Sequence, residues 1–147
     1  MPETTILDKD PGDVFVHRNV ANIVQADDPN ADSVILFAVT VVQVKRIVVC
    51  GHTNCRGAMA CLGEDDLGSI LNGWLQPLRE LRRKHQAEID GLASEADKAI
   101  RLAELNVKQA LYRLKQKESV AGAIDQGVLE VHGAIYDVAS GVLRALE

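Results

Sequence analysis

Val48-Val49-Cys50-Gly51-His52-Thr53-Asn54-Cys55-Arg56-Gly57 frames the reading of the whole chain. The apolar run Ile47-Val48-Val49 leads into it and predicts a strand from Arg46 to Cys50. Such a continuous run is typical of a parallel strand covered on both faces. A turn follows, and Ala58 to Leu62 is expected as a short helix. That order puts the turn at the C-terminal end of a strand, where open α/β sheets place their sites. His52 and Cys55 both lie in this turn. Imidazole nitrogen and thiolate sulfur are preferred zinc donors, and one turn can aim both at one ion. An open zinc site takes three protein donors, and this segment supplies two. Read alone, the pair is a weak signal, and it also describes a histidine beside a buried structural thiol.

Working outward, punctuation alternates with apolar periods. Asp10-Pro11-Gly12-Asp13 is a turn signal, and Val14-Phe15-Val16 after it reads as a short strand. Asp27-Asp28-Pro29-Asn30 is a second turn. Asp32 or Ser33 is expected to cap a helix running to about Val44, because that apolar stretch is too long for an ordinary strand. Ile70, Leu71, Trp74, Leu75, Leu78 and Leu81 recur at helical spacing, with Pro77 as a kink or a new first turn. Arg79, Arg82, Arg83 and Lys84 read as the solvated face of that helix. Ser94-Glu95-Ala96-Asp97 has the form of a capping box ahead of a long amphipathic helix through Leu102, Leu105, Ala110, Leu111 and Leu114. A further helix from about Ser119 ends at Gly127. Leu129 to Val138 reads as a late strand bent at Gly133, and Ala139-Ser140-Gly141 turns back into Val142-Leu143. Strands alternating with helices predict an α/β fold, a mostly parallel sheet flanked by helices, in a single domain over 1–147.

Composition narrows the function classes. The chain has 147 residues, a net charge of −5 and only 3% aromatic residues. No basic run is interleaved with aromatics, so nucleic acid is not an expected partner. The stretch Val34 to Val44 is too short to span a bilayer, so no membrane association is expected. The polar start Met1-Pro2-Glu3-Thr4-Thr5 has no secretory pattern, and three cysteines cannot all pair within one chain. A cytoplasmic location follows as the expectation, with the cysteines as thiols or metal ligands.

Other residues have chemistry to weigh. Cys50 shares a strand face with His52 and could serve as a third donor, although a core thiol is its simpler role. Cys61 reads as a core thiol on the following helix. Asp8, Asp10 and Asp13 are possible oxygen ligands but suit turns and caps. His17 and Arg18 follow a strand end and fit a structural or an anion-binding role. His132 reads as a packed histidine, His85 as solvent-exposed, Trp74 as core, and Tyr136 as core or interface.

The ordered words Pro2-Glu3-Thr4-Thr5-Ile6-Leu7, Pro11-Gly12-Asp13-Val14-Phe15-Val16-His17-Arg18-Asn19-Val20-Ala21-Asn22, Cys50-Gly51-His52-Thr53-Asn54-Cys55, Trp74-Leu75, Asn106-Val107 and Val131-His132-Gly133, with Tyr136 and Gly141, resemble the β-class carbonic anhydrases along the whole chain. The resemblance implies a zinc enzyme that interconverts CO2 and bicarbonate by zinc-bound hydroxide, with zinc held by Cys, His and Cys. It assigns His52 and Cys55 as the second and third metal ligands and leaves the catalytic residues unknown. Arg56 replaces the first of two glycines that follow the last ligand in the family, and is expected to crowd the site. The family's first ligand lies in a Cys-x-Asp-x-Arg word just upstream of the segment matching Pro2, and the sequence opens past that word. An N-terminally truncated homologue lacking the first family strand is therefore expected, with weak or absent activity. That strand would lie between Val14–Val16 and Ile47–Val49. Direct pairing of those two, a partner chain in the gap, or a disordered N-terminal half are the alternatives. The resemblance further implies a homo-oligomer, or association with a full-length paralogue as a non-catalytic scaffold or regulatory subunit.

Overall fold

The computed structural model describes residues 2–146. Helix α1 (Glu3–Leu7) and a 3-10 turn (Val20–Asn22) precede α2 (Pro29–Phe37), which continues as a π-helical turn (Ala38–Val42). Strand β1 (Arg46–His52) leads to α3 (Arg56–Ala60), α4 (Ser69–Lys84), α5 (Gln86–Asp90), α6 (Glu95–Lys115) and α7 (Glu118–Asp125). Strands β2 (Glu130–Asp137) and β3 (Val142–Leu146) close the chain. The sheet is three-stranded in the order β1-β2-β3, with β1 and β2 parallel and β2 and β3 antiparallel. The α/β architecture expected from the alternation of elements is present.

Helix α6 organises the core. Its buried Leu102, Ala103, Val107, Ala110 and Leu114 recur at helical spacing and cross the inner face of the sheet. The approach is close enough that a Cβ at Gly51 would lie 3.0 Å from Val107 Cγ2, and one at Gly133 would lie 2.8 Å from Leu111 Cδ1. Gly133 is therefore no bend: it stays in register between Val49 and Leu146, and its missing side chain admits the helix. Ile23, Leu75, Leu78, Ile89 and Val120 join the same buried cluster. Ser94 caps α6 as expected, its hydroxyl accepting from the Asp97 N–H.

Several elements differ from the sequence reading. Val14–Val16 forms no strand, because no described neighbour offers it a ladder and β propensity alone does not sustain one. The outer edge of β1 accordingly carries no strand among the described residues, and Val48 on its outer face is 42% exposed. The run Ile47-Val48-Val49 is covered on one face. Helix α2 starts at Pro29, four residues before Ser33: Asp28 accepts from the Asn30 N–H, and the fixed φ of proline suits the first helical position. Pro77 lies within a continuous α4. Ile70, at the start of that helix, is 90% exposed. The basic face of α4 is only partly solvated. Arg79 is buried and donates to Asp65 O, whereas Arg82 reaches Leu62 O and Asp90. The loop at 61–68 folds back over α4 and offers these carbonyls, a placement no local pattern encodes. No helix among the described residues is long and apolar enough to cross a membrane.

Candidate metal centre

Strand alternation orients the candidate residues. Val49 and Gly51 point into α6, so Val48, Cys50 and His52 share the opposite, less covered face. Past His52 the chain makes one more ladder bond, Thr53 N–H to Tyr136 O at 2.9 Å. Asn54 then adopts a left-handed conformation (φ 57°), which asparagine tolerates better than most residues. This reverses the chain, and Cys55 becomes the N-cap residue of α3.

The His52 ring has a defined orientation. Nδ1 lies 2.8 Å from Thr53 O, and since a carbonyl only accepts, Nδ1 carries the proton. Nε2 is then the free nitrogen of the neutral ring, in the arrangement metal-binding histidines use. His52 is exposed and Cys55 half-buried, so both remain reachable. An exposed imidazole with a free Nε2 and a thiol three residues on fit zinc in kind. Among the described residues no third His, Cys, Asp or Glu joins them in a metal-holding group.

The remaining candidates fall elsewhere. The Cys50 thiol donates to Gly51 O, and burial pushes it above its ordinary value. Cys61 is buried in the core, and burial raises its thiol while the neighbouring Arg79 guanidinium opposes the shift. Asp8 forms the left-handed C-cap of α1, and Asp10 O accepts the Asp13 N–H in a turn. Arg18 pairs with Glu3 at the exposed surface. His132 is not packed: its outward position in β2 leaves it exposed, 3.2 Å from Glu130. His85 is half-buried against Glu88 rather than fully solvated. Trp74 is partly buried and donates to Val20 O, and Tyr136 belongs to the core. Arg56 is exposed at the first position of α3.

Two sets of polar residues escaped the sequence reading. Asn106, buried on α6, donates from Nδ2 to Ala21 O at 2.8 Å and Asn22 O at 3.0 Å. Asn22 in turn donates to Cys50 O on β1. This chain holds Ala21 and Asn22 in left-handed conformations, at φ 61° and 52°. A polar residue within the apolar stripe of α6 was the available signal. The second set is Thr53, Asp137 and Ser140. Thr53 Oγ1 donates to Asp137 Oδ1 at 3.0 Å and accepts the Val138 N–H at 3.0 Å. The Ser140 hydroxyl, the Ala139 N–H and the Thr53 hydroxyl hold the Asp137 carboxyl below its ordinary value. Thr53 and Asp137 lie 84 residues apart, and no local pattern announces the pair.

Comparison with known proteins places this geometry. The carbonic anhydrase family model matches residues 1–143. A carbonic anhydrase of Candida albicans is 43% identical over 138 residues, covering 93% of this chain and 49% of that protein. One from Emericella nidulans is 40% identical over 147 residues, covering 99% of this chain and 64% of that protein. This chain thus spans about half to two thirds of the length of these curated relatives. A tetrameric β-carbonic anhydrase of Sordaria macrospora superposes with a TM-score of 0.96 at 44% identity, over 99% of this chain and 74% of that one. A β-carbonic anhydrase of Aspergillus fumigatus has a TM-score of 0.96 at 53% identity, over 99% of this chain and 69% of that one. With its strand–turn–helix carrying His52 and Cys55, the chain belongs to the β-class carbonic anhydrase family.

Proposed function

We propose that this chain carries two donors of a β-carbonic anhydrase zinc site, His52 through Nε2 and Cys55 through Sγ, and that its reaction class is reversible hydration of CO2 to bicarbonate. The supporting observation is the His52 ring, turned by the Thr53 carbonyl so that Nε2 is free in a half-open turn shared with Cys55. Zinc held there would supply a water acid enough to serve as a nucleophile near neutral pH. The two proposed donors, His52 at the end of β1 and Cys55 at the N-cap of α3, belong to this chain. Two protein donors bind zinc weakly, so these 147 residues alone are proposed to have weak or no hydration activity. Three free thiols suit a reducing compartment, in keeping with a cytoplasmic location.

Elemental analysis with stopped-flow CO2 hydration tests this reading. Expected are zinc well below one per chain after gel filtration, no zinc in Cys55→Ser or His52→Ala, and hydration near background. One tightly held zinc that survives both substitutions would overturn the assignment of the donors.

A second reading, an oligomerising scaffold, rests on the surface. Phe15 and Phe37 stack at 6.0 Å between ring centroids, and both are about half-exposed, beside exposed Leu36, Val41 and Val42. A contiguous apolar surface of this kind marks an interaction site. A homo-oligomer, or association with a full-length paralogue, would cover it. Sedimentation of the metal-free protein is expected to show a stable oligomer that Phe37→Ser weakens. A monomer at all concentrations would remove this reading.

A further inference from the structure

We propose that Asp137 is a positioning residue for the metal-binding turn: through Thr53 it sets the orientation and tautomer of His52. The inference rests on the reading of His52 as a zinc donor and goes beyond it, because Asp137 touches neither His52 nor Cys55 through any hydrogen bond in the structure. The geometry points to it in three steps. Asp137 ends β2, and its carboxylate is immobilised by Ser140 Oγ at 2.6 Å and the Ala139 N–H at 3.1 Å. The Gly141 N–H also bonds Asp137 O, so the hairpin between β2 and β3 is closed around this residue.

The fixed carboxylate then takes the Thr53 hydroxyl, while the same oxygen of Thr53 accepts from Val138 N–H. With its own N–H on Tyr136 O, Thr53 is tied at three points to the end of β2. That leaves its carbonyl directed at one partner, His52 Nδ1. In water a neutral imidazole is free to carry its proton on either nitrogen and to rotate. Here the carbonyl selects Nδ1–H and leaves Nε2 free. The turn contains one left-handed residue, and apart from the His52–Thr53 bond itself no side-chain bond lies within it among the described residues. A hairpin 84 residues downstream therefore decides which nitrogen of His52 faces a metal.

Nitrogen-15 NMR of the metal-free protein tests this directly. At about pH 8 His52 in the natural sequence is expected as the Nδ1–H tautomer. Thr53→Val and Asp137→Ala are expected to give a mixture of tautomers. Amide exchange at Asn54 and Cys55 should quicken by about fivefold, the factor a single hydrogen bond typically contributes. Thr53→Ser and Asp137→Asn keep the hydroxyl and an accepting oxygen, and should restore the single tautomer. A merely structural loss would lower melting temperature without this pattern of rescue. Unchanged His52 signals and exchange rates in Thr53→Val and Asp137→Ala would overturn the proposal. If Asp137→Ala fails to fold, the contrast between Thr53→Val and Thr53→Ser decides. Titrating zinc chloride into the natural sequence separates the two readings. Silence of the His52 Nε2 signal would refute the metal assignment, and the positioning role would still stand or fall on the tautomer.

Discussion

Asn106 does more for the fold than its single amide suggests. It is buried on α6 and satisfies two carbonyls of a segment whose Ala21 sits at φ 61°, a region that costs a non-glycine residue about 1–2 kcal/mol. Buried carbonyls left without donors cost about 1–3 kcal/mol each. Asn106→Ala is therefore expected to destabilise the chain by roughly 2–4 kcal/mol, measured as a lower urea midpoint. The same change should loosen residues 20–22 before β1 melts, visible as faster amide exchange there. Its place was legible in part: a lone amide on the apolar stripe of a helix signals a buried polar partner. Which carbonyls it serves was not legible, because Ala21 lies 85 residues away.

At the scale of elements, the decisive contact is the seam between α6 and the two parallel strands. Gly51 and Gly133 give up their side chains so that Val107 and Leu111 can approach. Gly133→Ala inserts a methyl group against Leu111 and Val107, where the neighbours are core side chains with little room to yield. A loss of about 1–3 kcal/mol is expected, read as a fall in melting temperature, and Leu111→Ala should recover part of it by opening space. Helices α4 and α6 were readable from apolar spacing, and β1 and β2 from β-branched runs with glycine nearby. Val14–Val16 was misread for a physical reason: a strand exists only with a ladder partner, and partner availability is not a local property. Arg79 was misread likewise, since the loop that buries it comes from an earlier part of the chain.

At the scale of the whole molecule, carboxylates set the acid limit. Hydrogen bonds and charge from arginines hold Glu64, Glu88 and Glu130 below their ordinary values, while Gly68 and Asn72 lower Asp66. For Glu104, burial raises the value, but bonds from Arg101 and Arg144 outweigh it. All these shifts have one sign. The unfolded chain takes up protons first, so this contribution is complete above the ordinary carboxylate range of about 3.9–4.3. It is lost as pH falls through and below that range. Melting temperature is expected to be flat in these groups above about pH 5 and to drop steeply below about pH 4. Glu104→Gln should shallow that drop, and an unchanged acid slope would contradict the role given to the Arg101–Glu104–Arg144 group.

Local patterns of residues carried the family, the α/β class, the strand-to-turn position of His52 and Cys55, and the helices that supply the core. Those properties rest on local periodicity and on words of a few residues, and neighbours in sequence carry them. The folded chain adds that β1 carries no strand on its outer edge among the described residues, that Asn106 holds a strained segment, and that Asp137 reaches Thr53 behind the His52–Cys55 turn. Each depends on groups far apart in the chain meeting across the fold, where hydrogen bonding and close packing act between surfaces that no local pattern describes.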